Sequence, residues 1–145
     1  MTNSRWKWLL LAGRVVLAGI FLAAGIAKLR EPWAQFAASL YGFKLLPDGS
    51  LETVAKTLPW AEVALGLAVL SGIWLRWFAL LASGVIALFL AVLIRSYAMG
   101  LQVDCGCFGS GEALGPMTIV RDSTMLVLGA AVTWGAFRSR KPAGL

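Results

Sequence analysis

Four long apolar stretches constrain this chain more than any other feature of it. They cover about residues 9–27, 58–75, 77–94 and 117–137. Each is close to the roughly 20 residues a helix needs to cross the hydrocarbon of a bilayer. Lipid offers no hydrogen-bond partner to an open backbone, so each stretch is expected to be helical. The expected fold is therefore an all-α membrane protein. It is a four-transmembrane-helix bundle, with short extracytoplasmic helices between the first and second spans. All of residues 1–145 would form one integral membrane domain. Composition agrees, with 59% hydrophobic and only 14% charged residues, against about a quarter charged in a soluble domain. There is no histidine, which removes the commonest general base and metal ligand. The first stretch has the basic start and small residues of a cleavable signal sequence. Arg14 interrupts its apolar core, and we read it as a retained helix.

The charges predict a direction. With both termini and the connection between spans two and three in the cytoplasm, that side holds Arg5, Lys7, Arg14, Arg76, Arg138, Arg140 and Lys141, and no acid. The other side holds Lys28, Arg30, Lys44, Lys56, Arg95 and Arg121 against Glu31, Asp48, Glu52, Glu62, Asp104, Glu112 and Asp122. Seven cations on one side, against six cations and seven acids on the other, is a strong positive-inside pattern. Trp6, Trp8, Trp74, Trp77 and Trp134 fall at the inner ends of spans, and Trp33 and Trp60 at the outer face, as interfacial belts do. The net charge of +6 is thus a topology marker. The expected partner is a lipid bilayer, not nucleic acid.

The connections differ in kind. "SGIWLRW" is short enough to force spans two and three into an antiparallel hairpin. Between spans one and two, Trp33, Phe36, Ala37, Leu40 and Tyr41 share a helical face. That helix either lies on the outer membrane surface or packs on top of the bundle. A second short helix is expected after "PDGS", with Leu51, Val54, Ala55 and Leu58 on one face.

"VDCGCFGSGEALGP" carries both cysteines of the chain, Cys105 and Cys107. The expected topology places them on the oxidising side, where disulfides persist. A bridge between them closes a three-residue loop and stabilises by only about 1.6 kcal/mol, against about 3 for fifteen residues. A purely structural bridge is therefore poorly motivated, whereas strained, exposed disulfides tend to be labile. Gly106 eases the backbone between the sulfurs, and Gly109 keeps the segment pliable. Two thiolates could also hold a soft ion, with Asp104 as a third ligand. A closed zinc site needs four ligands, and no metal is expected to reside here. Phe108 completes the segment.

Beneath this loop, the outer ends of all four spans carry ionisable residues: Lys28, Glu62, Arg95, Arg121 and Asp122. Such residues usually face a bundle interior or a wet cavity. Snorkelling accounts for Arg14, Arg30 and Arg76. It does not account for the short Glu62, which should pair with Lys28 or Arg121. Neighbouring cations would also favour the cysteine thiolate, the nucleophile of disulfide exchange.

"RVVLAGIFLAAGIAKL", "LPWAEVALGLAVL" and "VDCGCFG" together resemble the methylamine-utilisation MauE family, within the DoxX-like four-helix membrane proteins. The resemblance spans roughly residues 12–137, and "CGCFG" is its most specific element. It implies a role in maturing periplasmic proteins: the disulfide-rich small subunit of methylamine dehydrogenase, alongside a thioredoxin-like protein. It also implies that Cys105 and Cys107 take the place of the family's cysteine pair. Three functions remain open. The first is a thiol–disulfide oxidoreductase exchanging electrons with a thioredoxin-like or maturing periplasmic protein. Its electrons would pass to or from a quinone near Trp60 and the charged layer, or the pair would be exposed alternately to both sides. The second is a non-enzymatic maturation or assembly factor, and the third a carrier of soft metals or thiol-reactive ligands.

Overall fold

The structure is a computed structural model that describes residues 2–101, 104–106 and 109–138. Its elements are α1 (Thr2–Arg30), α2 (Trp33–Gly42), α3 (Asp48–Ser71), α4 (Leu75–Ala98), β1 (Asp104–Gly106), β2 (Gly109–Ala113) and α5 (Pro116–Arg138). α1, α3 and α4 are long and apolar enough to cross a membrane. α5 has the length but carries Arg121, Asp122 and Arg138, and it falls short of the hydropathy of the other three. The expected four apolar crossings thus become three such helices, plus a more polar α5 packed alongside.

The helices are held by inward faces at helical spacing. α1 buries Leu17, Ala18, Phe21 and Ala24. α4 buries Ala79, Ala82, Ser83, Ile86, Leu90 and Leu93. Leu17, Ala18 and Phe21 of α1, Ala79, Ala82 and Ile86 of α4, Leu65 and Val69 of α3 and Val132 of α5 make one core. The outward faces are apolar too, with Leu9, Val16, Leu67, Leu81, Leu88 and Val127 all exposed. A helix apolar all round belongs in lipid rather than water.

α1 and α3 form one close pair, and α4 and α5 another. The first is close because of two glycines. A Cβ on Gly25 would lie 2.6 Å from Val63 Cγ2 and 2.8 Å from the Pro59 carbonyl oxygen. One on Gly66 would lie 2.9 Å from Leu22 Cγ and 3.1 Å from the Ala18 oxygen. Small residues at such crossings let helix backbones approach, as membrane bundles require.

The second short helix expected after "PDGS" does not stand alone. It is the first part of α3, which continues through Pro59 to Ser71. Proline removes one ladder hydrogen bond, but membrane helices tolerate it where neighbours close around the gap. Pro59 is buried against α1. The same element ends four residues before the expected residue 75, because Gly72 adopts φ +79° and caps it with a bond from its N–H to the Val69 carbonyl. Only three residues then lead into α4.

α2 packs on the bundle end, chiefly against α3, and buries Phe36 and Ser39 while Tyr41 stays exposed. Of the two placements expected for it, packing on the bundle describes this helix. The glycine-rich segment, read as a pliable loop, is an antiparallel hairpin. Asp104 pairs with Ala113 and Gly106 with Gly109, with a register shift between the two pairs. It sits on α1 and α2. The opposite end of the bundle is aromatic and basic. Trp6 meets Trp134 edge-on at 5.7 Å, Trp77 meets Phe137 at 5.5 Å, and Arg76 and Arg138 lie over these rings.

Candidate functional site

Lys28 occupies the last turn of α1, and Glu62 lies midway along α3. The Gly25 crossing brings these two helices together one turn away. Lys28 Nζ donates to both carboxylate oxygens of Glu62, at 2.8 and 3.0 Å. The Lys28 side chain is only 2% exposed and that of Glu62 13%. Phe36 of α2 covers the pair, its ring centre 5.4 Å from the ammonium. Of the two partners expected for Glu62, tertiary structure selects Lys28. An ion pair this buried holds because each charge compensates the other where water does not reach.

The remaining members of the expected layer divide. Arg121 turns to its chain neighbour, with Nη2 and Nε 3.1 and 3.2 Å from Asp122 Oδ1. Asp122 is buried, whereas Arg121 is half-buried. Arg95 lies apart and donates from Nη1 to the Phe43 carbonyl at 3.3 Å, tying α4 to the end of α2.

Lys28, Glu62 and Asp122 share something sequence reading did not find. All three line one cavity of about 360 Å³. Its walls are otherwise apolar, from Ile20, Phe21 and Ala24 of α1, Leu58 of α3, Val85, Phe89 and Val92 of α4, and Met125 of α5. Leu45, Leu46 and Leu88, all exposed, stand at its rim. The cavity lies where the α1–α3 pair faces the α4–α5 pair, and its walls come chiefly from α1 and α4. Spacing along one helix carries no signal for a gap between two, so the charged layer was the only hint.

The hairpin meets this region at its base. Leu114, just after β2, packs on the Phe43–Leu93 cluster, as do Phe89 and Val92; Phe43, Phe89 and Val92 also line the cavity. Cys105 lies within β1, between the paired Asp104 and Gly106. Cys107 and Phe108 lie outside the described residues.

Comparison with known proteins bears on this arrangement. The family described as methylamine utilisation protein MauE matches residues 6–135. That interval includes the ion pair, the cavity and the cysteine segment. The chain belongs to the MauE family. It is similar to the methylamine utilization protein MauE of Paracoccus denitrificans, with 30% identity over 84% of this chain and 67% of the relative. It is similar also to that of Paracoccus versutus, with 31% identity over 86% of this chain and 69% of the relative. No solved structure matches it. Membership agrees with the resemblance seen in the sequence motifs and with a multi-pass membrane protein.

Proposed function

We propose that this MauE-family protein is a membrane thiol–disulfide exchange protein associated with methylamine utilisation. In this reading the bundle crosses the cytoplasmic membrane of a bacterium four times. α5 is the fourth span, its two outer charges answered by each other and Arg138 at the inner interface. The aromatic and basic end faces the cytoplasm and the hairpin faces outside. Cys105 and Cys107 exchange electrons with a thioredoxin-like or maturing extracytoplasmic protein. A thiolate of one pair attacks the disulfide of the other, and the second thiol of the attacking pair resolves the mixed disulfide, so that one protein leaves oxidised and the other reduced.

The observation that carries the reading is the place of Cys105. It sits in a short hairpin on the end of the bundle that also holds the Lys28–Glu62 and Arg121–Asp122 charges. A paired strand presents its residues in fixed register to a partner, and a two-residue cysteine spacing gives little structural stabilisation to lose on reduction.

Trapping tests it. Cys105→Ala and Cys107→Ala are expressed separately in native membranes and isolated without reductant. At least one should be recovered as a mixed disulfide with an extracytoplasmic protein. If both are produced normally and neither captures a partner, exchange is refuted. A double Cys→Ser variant that still supports maturation would point instead to the assembly-factor reading.

A further inference from the structure

We infer that the cavity between the α1–α3 and α4–α5 pairs is a binding site for a membrane quinone, with its head at the Lys28–Glu62 pair. Its volume of about 360 Å³ lies within the roughly 300–1,000 Å³ of small-molecule sites. Its walls are apolar, and its rim is formed by Leu45, Leu46 and Leu88, which are 44%, 38% and 69% exposed. An opening rimmed by exposed leucines, Leu88 of the apolar α4 and Leu45 and Leu46 of the α2–α3 connection, admits ligands from lipid rather than from water. The occupant therefore has an apolar body or tail.

The head is constrained by charge. The ionisable residues on the wall are one cation, Lys28, and two carboxylates, Glu62 and Asp122. Each of these charges is already answered, Lys28 by Glu62 and Asp122 by Arg121, so a fatty acid or a lipid phosphate would meet no surplus cation, and the site fits an uncharged head. Lys28 Nζ is a donor suited to a carbonyl, and the Glu62 carboxylate is an acceptor suited to a hydroxyl. Quinones on isoprenoid tails present carbonyls when oxidised and hydroxyls when reduced, without net charge in either form.

The role given to this ligand rests on the thiol-exchange reading. Oxidation of a partner's dithiol leaves Cys105 and Cys107 reduced, and one pair per chain has no second pair to pass electrons to. The two thiols then release two protons and two electrons and re-form the S–S bond. The quinone takes up both and becomes the hydroquinone. Leu114 links the two sites, since it follows the hairpin and packs on the cluster of Phe43 and Leu93, of which Phe43 lines the cavity.

The test uses the full chain in phosphatidylcholine nanodiscs, with decylubiquinone and palmitate as separate probes. Decylubiquinone should bind saturably above empty nanodiscs. Leu88→Trp at the rim and Ala24→Leu in the wall should each weaken it at least ten-fold, and Cys105→Ser should leave it unchanged. Leu88 is exposed, so its substitution leaves the core intact. Absence of saturable binding, indifference to both cavity variants, or preference for palmitate overturns the site. Pre-reduced wild type should convert decylubiquinone to its hydroquinone, and Cys105→Ser should not. Cavity-dependent binding without conversion overturns thiol oxidation and leaves the site standing. Conversion that both cavity variants leave intact does the reverse.

Discussion

Lys28 is buried to 4% exposure and depends on Glu62. Removing one member of a buried pair leaves a charge with neither water nor partner, at a cost of about 3–5 kcal/mol. Lys28→Met should therefore lower the thermal midpoint of the purified protein sharply. Lys28→Met combined with Glu62→Leu should recover most of the loss, because apolar residues can replace such pairs. Equal midpoints for the single and double variants would show that the charges do not compensate each other. Ser96 is the opposite case. It is fully buried, and among the described residues its hydroxyl has no hydrogen-bond partner. An unsatisfied buried hydroxyl costs about 1–3 kcal/mol, so Ser96→Ala should raise the midpoint. A lower midpoint would mean that the hydroxyl is satisfied in the membrane. The sequence alone flagged Glu62 as needing a cation and named two. Choosing between them required knowing which helices touch.

At the level of elements, the α1–α3 crossing sets the position of the ion pair. Gly25→Leu and Gly66→Leu should each force these helices apart, and the yield of monodisperse folded protein should collapse. Gly19, on the same helix as Gly25, has nothing within 4 Å of its would-be Cβ, so Gly19→Leu should be tolerated. Equal yields from all three would remove the seam from the account. The merging of the expected short helix into α3 is decided here too. Helical periodicity was legible on both sides of Pro59, but continuity through a proline depends on what packs against it.

For the whole molecule, orientation follows from charge asymmetry. In a variant lacking both native cysteines, Arg138→Cys at the end of α5 should react with an impermeant maleimide only from the cytoplasmic side. Cys105, retained as the single cysteine, should react only from outside. Labelling of both from the same side would mean that α5 does not cross. Because α5 carries Arg121 and Asp122 within its apolar stretch, composition alone leaves it out of the set that α1, α3 and α4 form. Packing against α4 lets Asp122 be buried beside Arg121.

Membrane character, helical class, family and the pairing need of Glu62 were all written in the chain itself. Each follows from local composition, from periodicity or from a short motif, which need no knowledge of neighbours. The Lys28–Glu62 bond, the continuous α3, the strands around Cys105 and the cavity came only with tertiary structure. Each depends on which surfaces of distant segments meet, and on where two of them leave a gap.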